Sequence, residues 1–132
     1  MFDGKLPQHE ADLVILRTAR ALITNKKDWC TYNLVDNEGR RCARGAYLGA
    51  MGGTLAEVHW FEAAQDHSDV RRIDGYLSDA AEEMLRAKGW PECPLSNRVV
   101  RVNNRFGHAA TLEMYDRAIA ALEAKIKSTV AA

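Results

Sequence analysis

Apolar positions recur at three- and four-residue intervals in three long stretches of the chain. Ile15, Leu16, Ala19, Leu22 and Ile23 form one stripe and predict a helix over residues 10–26. Arg17, Arg20 and Thr24 fall off the stripe, and Asn25-Lys26-Lys27 places cations at its C-terminus, where the helix dipole favours them. Ile73, Leu77, Ala81, Met84 and Leu85 predict a second helix over residues 70–88, weakest at Gly75. Gly89 stands where a left-handed C-terminal residue belongs, and Pro91 blocks continuation. Leu112, Tyr115, Ile119, Leu122 and Ile126 give the clearest stripe and a helix over residues 111–127. Two shorter helical signals lie between. Residues 45–51 are rich in small side chains, and Thr54-Leu55-Ala56-Glu57 matches a capping box that starts a helix at Leu55.

The segment from Asp28 to Ala46 has a different pattern and reads as a β-hairpin leading into a helix. Its strands would be Trp29 to Val35 and Arg40 to Arg44. Asp36-Asn37-Glu38-Gly39 is the turn, with Asp and Asn bonding locally and Gly39 supplying a positive φ. The simplest register sets Val35 against Arg40 and Asn33 against Cys42. Cys30, Tyr32, Leu34 and Ala43 then share the core face. Thr31, Asn33, Arg40, Cys42 and Arg44 share the outer face, with Trp29 and Val35 at its ends. In that register Cys30 and Cys42 lie on opposite faces and cannot bridge. A third strand is expected over Arg98 to Asn103, built on Val99, Val100 and Val102. The expected fold is one α+β domain, residues 1–132, with an irregular arm at 1–8. It holds a small three-stranded, mainly antiparallel sheet with four or five helices packed on one face, and a second face left to solvent.

Composition narrows the functional classes. A chain of 132 residues is one domain by length and buries enough surface to fold without metals or disulfides. Eighteen basic and eighteen acidic residues cancel, so nothing steers the whole chain toward nucleic acid or a membrane. No apolar run reaches bilayer length and Met1-Phe2-Asp3-Gly4 is no signal peptide, which points to a cytoplasmic protein. Three cysteines, Cys30, Cys42 and Cys93, with no CxxC spacing, argue for reduced, partly buried thiols and against a zinc module. No metal and no cofactor are expected.

The hairpin and the C-terminal region together carry a resemblance. Trp29, Cys30, Asp36, Gly39, Cys42, Gly45 and Ala46, then Asn103, Thr111, Glu113, Arg117 and Ala118, follow one pattern. It resembles a family of small bacterial and phage proteins catalogued as a domain of unknown function. The chain departs from it at Val102-Asn103-Asn104, where the family places Trp and Asp around the Asn. The resemblance implies a shared fold and no particular activity.

Candidate chemistry is sparse. His59 and His67, with Asp66, Glu62 or Cys93, lack any metal-site spacing. Cys42, flanked by Arg41 and Arg44, is the best-placed thiol for a nucleophile, with His108 and Asn103 as partners. The bland reading, a small buried residue beside the Gly45-Ala46 helix start, outweighs it. Asp74, Asp79, Glu82 and Glu83 read as a solvated helix face. The fullest set is Trp29, Asn33, Arg40, Arg44, Arg101 and Asn103, which one outer sheet face would gather into a binding patch. His59-Trp60-Phe61 suggests an exposed aromatic edge and a homodimer contact. The expectation is a non-enzymatic interaction module for a macromolecule, protein rather than nucleic acid. The alternatives are a small Cys/His hydrolase or transferase, or a nucleic-acid binder using the arginine face.

Overall fold

The computed structural model describes residues 6–52, 68–90 and 92–131. Among these residues the structure is helical, with no strand and no sheet. Helix α1 is Leu6–Leu22, α2 Ala43–Ala50, α3 Ser68–Ala87, α4 Arg98–Arg101 and α5 His108–Ala131. A π-helical turn, Val102–Phe106, joins α4 to α5. Helix α1 packs on α2 and α5, and α3 packs on α5. The three long apolar stripes meet in one core, except for Leu22, which is 41% exposed. Leu16, Ala19 and Ile23 close on Ala46 and Tyr47, on Ile73, Leu77 and Ala81, and on Met114, Tyr115 and Leu122.

The helix ends follow from local chemistry. α1 starts at Leu6, so the expected arm supplies its first turn, and it ends at Leu22 rather than Lys26. The chain then makes a 3-10 turn, Lys26–Asp28, capped by Asn25 Oδ1, which accepts from the Lys27 N–H at 3.4 Å. α3 ends as its sequence foretells. Gly89 has φ +82°, its N–H donates to Arg86 O at 3.1 Å, and Trp90 N–H donates to Leu85 O at 2.8 Å. Those two bonds are a Schellman closure. Polar ties pin α1 to its neighbours. Arg72 of α3 holds buried Asp12 from Nε at 2.8 Å and Nη2 at 2.9 Å, and the Tyr76 hydroxyl donates to the same carboxylate at 2.7 Å. Burial, then that carboxylate, pushes the Tyr76 phenol up to about 12. Arg20 reaches Asp116 of α5 at 2.7 Å, which raises the Arg20 pKa, chiefly through that hydrogen bond.

The α+β expectation is overturned in both halves of the proposed sheet. The expected third strand is helix α4 and the π turn. Val99, Val102 and Asn103 are fully buried while Val100 is only half-buried, a three- and four-residue spacing rather than an alternating one. β-Branched propensity is weak, and packing on the core overrides it. The expected hairpin is a compact loop around Arg41. Arg41 bridges Trp29 on one side, parallel, and Val35 on the other, antiparallel. Cys30 N–H donates to Arg41 O at 3.1 Å, and Cys42 N–H to Leu34 O at 3.2 Å. Val35 therefore faces Arg41, one position off the expected register. The turn itself stands: Gly39 has φ +79° and its N–H donates to Asp36 O at 3.0 Å. Pairing stops after single bridges because side chains take the remaining backbone groups, which is an alternative to a ladder. The capping box at Thr54 and the aromatic run His59-Trp60-Phe61 lie outside the described residues.

Candidate functional site

Asn103 organises the loop. It sits in the π turn, is 1% exposed, and makes five hydrogen bonds. Its Oδ1 accepts from Trp29 Nε1 at 2.7 Å, from the Ala43 N–H at 3.0 Å and from Thr111 Oγ1 at 3.4 Å. Its Nδ2 donates to Cys30 O at 3.2 Å and to Asn104 Oδ1 at 2.9 Å. One buried amide thus fastens the start of the loop, the start of α2 and the start of α5.

The neighbours are equally constrained. Cys42 is the N-cap of α2, and its Sγ accepts from the Gly45 N–H at 3.4 Å. Gly45 is required there, because a Cβ would lie 1.9 Å from Leu34 O. Tyr115, fully buried, donates from its hydroxyl to Ala43 O at 2.6 Å. Cys30 Sγ donates to Arg40 O at 3.2 Å, and burial lifts its thiol to about 11. Burial also raises the Cys42 thiol. Trp29 lies against the His108 ring, with centroids 5.3 Å apart, and His108 Nε2 is 2.7 Å from Ile23 O.

The loop presents one exposed residue in an uncommon conformation. Tyr32 has φ +63° and is 72% exposed. A bulky residue in the left-handed region costs about 1–2 kcal/mol. Its N–H donates to Asn104 Oδ1 at 3.0 Å, and that oxygen also accepts from Asn103. Where the resemblance places Asp, Asn104 keeps an acceptor oxygen, which is what this position uses. Beside Tyr32 opens a pocket of ≈ 250 Å³ lined by Leu34, Arg44, Val99, Val100 and Asn104.

The candidate residues separate accordingly. Trp29 and Asn103 come together, but as internal partners. Asn33 lines the pocket beside Tyr32 and a second, more polar one of ≈ 510 Å³. With no sheet face to gather them, the three arginines take separate partners. Arg40 bonds Asp36 at 2.6 Å, Arg44 bonds Asp74 at 3.1 Å, and Arg101 stacks over Trp90 at 4.6 Å. Burial opposes the Arg44 charge, yet Asp74 and its other neighbours leave its pKa raised. No hydrogen bond joins Cys42 to His108: the thiol caps α2 and the imidazole faces Ile23 O. Among the described residues no group of three His, Cys, Asp or Glu could hold a metal, and His59, His67, Asp66 and Glu62 lie outside them. None of the described helices is long and apolar enough to cross a membrane. The expected register put Tyr32 on the core face and Val35 and Cys42 on the outer one, whereas Tyr32 is exposed and Val35 and Cys42 are buried. Tyrosine carries no signal for a left-handed backbone, and Asn104 stood out only as a departure from the pattern.

Trp29, Cys30, Asn103 and Thr111 of this network are among the residues that carry the resemblance, and a family model matches residues 7–121. The chain belongs to the family of unknown function DUF6197. No curated protein and no solved structure matches it. Asp36 Oδ1 accepts from the N–H groups of Glu38 and Arg40, each at 2.9 Å, Glu113 pairs with Arg117 at 2.9 Å, and Asn103 is the hub.

Proposed function

We propose that the chain is a non-enzymatic interaction module and that it binds a protein through the loop between α1 and α2. The observation that carries this reading is Tyr32, exposed and held left-handed by Asn104. Strain of this kind clusters at ligand clamps and binding loops, and a tyrosine is a frequent interface anchor. The adjacent pocket offers Leu34, Val99 and Val100 for an apolar side chain, with Arg44 and Asn33 at its polar edge. A protein partner fits better than nucleic acid. Arg40 and Arg44 are paired with carboxylates and Arg101 lies on an indole, so little unpaired positive charge faces outward from this set.

Photo-crosslinking tests the reading. A benzophenone amino acid replaces Tyr32, and in a control Val14, which is 61% exposed on α1. Irradiation in the native host should give a discrete protein adduct from position 32 and none from position 14. The additional change Asn104→Ala, which frees the loop, should reduce the adduct several-fold. Equal adduct patterns from both positions would remove Tyr32 as the contact. Adducts only to nucleic acid would favour the arginine reading instead.

A further inference from the structure

Arg71, Asp74, Gly75 and Ser78 recur at three- and four-residue spacing and so share one flank of α3, beside its core stripe. With Tyr47, Val70 and Leu95 they line a pocket of ≈ 660 Å³. That lies within the range of small-molecule sites, about 300–1,000 Å³. Two independent features mark it as more than a surface dent. Glycine is disfavoured within a helix, yet Gly75 lies well inside the 20-residue α3. Among the described residues nothing lies within 4 Å of where its Cβ would be, so no packed neighbour among them demands glycine. Its effect is to keep this wall low. Ser78 is 1% exposed, lines the pocket, and its Oγ has no hydrogen-bond partner among the described residues. A buried hydroxyl without a partner is uncommon and calls for one.

The walls also select ligand charge. Asp74 accepts from Arg44 Nε at 3.1 Å and from the Tyr47 hydroxyl at 2.8 Å. Arg44 also donates, from Nη2, to Ser96 O at 2.8 Å. Arg71 has a partner of its own. An anion drawn to Arg44 would compete with Asp74, and a cation drawn to Asp74 would compete with Arg44, so a charged ligand gains little for the hydration it loses. A neutral one would meet apolar walls and, just beneath them, the Ser78 hydroxyl. We infer that this pocket is a binding site for a small uncharged molecule, with an apolar ring-sized body and one amide or hydroxyl group that pairs with Ser78. The site and the pocket beside Tyr32 share Arg44 and are otherwise lined by different residues.

Benzamide is a suitable probe, with benzoate as its charged counterpart. Titration followed by backbone amide shifts should show saturable benzamide binding centred on Gly75 and Ser78. Benzoate should bind at least roughly tenfold more weakly, as burial of an unpaired charge requires. Ser78→Ala should weaken benzamide by roughly fivefold, the weight of one ordinary hydrogen bond. Gly75→Leu should abolish saturable binding by filling the pocket. Should that variant fail to melt cooperatively, Gly75→Ala serves, since alanine favours the helix and still narrows the site; it should bind more weakly at undiminished thermal stability. The proposal is overturned if benzamide shifts miss Gly75 and Ser78, if both sets of variants bind like the original chain, or if benzoate binds as tightly as benzamide.

Discussion

Asn103→Ala should unfasten the loop, and its cost can be worked from the hydrogen bonds it removes. The truncation leaves Cys30 C=O and the Ala43 N–H without partners, and both residues are buried. An orphaned buried group costs about 1–3 kcal/mol, so these two account for about 2–6 kcal/mol. The Trp29 indole N–H also loses its acceptor, but it borders the polar pocket of ≈ 510 Å³ and can rehydrate there, so it adds little. The expected loss is about 2–6 kcal/mol, against a whole-domain stability of about 5–15 kcal/mol. Urea denaturation followed by tryptophan emission measures it, provided the slope is unchanged. The indole N–H of Trp29 gives a second readout: its hydrogen exchange should quicken before global unfolding. A loss under about 1 kcal/mol, within the effect of one ordinary hydrogen bond, would refute the hub. So would an indole N–H that stays protected.

Asn103→Asp separates the two ends of the amide. It keeps an acceptor for Trp29 and Ala43, and sets a second oxygen against Cys30 O and Asn104 Oδ1. Burial and those oxygens disfavour the carboxylate, so its pKa in the folded chain rises. A carboxyl whose folded pKa is raised contributes stability below the ordinary carboxylate value and loses it as pH rises through the folded one. Relative to the original chain, this variant should therefore be least impaired near pH 4 and most impaired at pH 7.

Gly45→Ala should destabilise by more than about 2 kcal/mol, since its Cβ would overlap the Leu34 carbonyl backbone at 1.9 Å; a denaturant midpoint near the original would place Leu34 elsewhere. Leu122→Ala should cost about 2–5 kcal/mol, because Leu122 is 1% exposed in the core, and an unchanged midpoint would contradict that packing. At pH 7.5 Cys93 should react with a thiol reagent well before Cys30 and Cys42, because both of these are buried with raised thiol pKa values while Cys93 is only half-buried; equal rates for all three would contradict the loop geometry.

The helical half of the fold was legible because its signal is periodic and redundant. Each long stripe carries several apolar residues on one face, and all three stripes meet in the core. Gly89 and Pro91 marked the end of α3 because backbone chemistry at that point is local. The sheet failed for the opposite reason. Val99-Val100 and the polar alternation of residues 29–44 are short, and short patterns do not separate strand from helix or loop. What decides between them is a contact across the fold. Asn103, 60 residues from Ala43 in sequence, takes the backbone groups that a ladder would have used. The candidate site was half legible. Trp29, Cys42 and Asn103 were picked out, but as surface or reactive groups, whereas Cys42 and Asn103 are buried and Trp29, half-buried, donates to Asn103. Arg40, Arg44 and Arg101 could be grouped only by the sheet face, and partner choice by Asp36, Asp74 and Trp90 was invisible without the fold.

A buried hub beneath an exposed, left-handed tyrosine has an energetic logic that links the scaffold to the proposed binding. Tyr32 N–H bonds Asn104 Oδ1, Asn104 Oδ1 accepts from Asn103 Nδ2, and Asn103 Oδ1 accepts from Ala43 at the start of α2. The loop tip is thus tied to the helical core through two side chains. Ordering a loop on binding subtracts about 0.5–1.5 kcal/mol per immobilised rotamer-rich side chain from affinity. Here hydrogen bonds hold the backbone of the loop at Cys30, Tyr32 and Cys42, and the Tyr32 ring is exposed. A partner would then gain contact area without ordering the loop. Asn104→Ala should therefore weaken a captured partner mainly through a slower association, while leaving the Asn103 bonds to Trp29 and Ala43 intact. Tyr32→Ala, by contrast, removes the ring itself and should act on dissociation. If both substitutions change the same rate constant in the same proportion, the loop is not preordered by Asn104, and the tie between scaffold and binding surface fails.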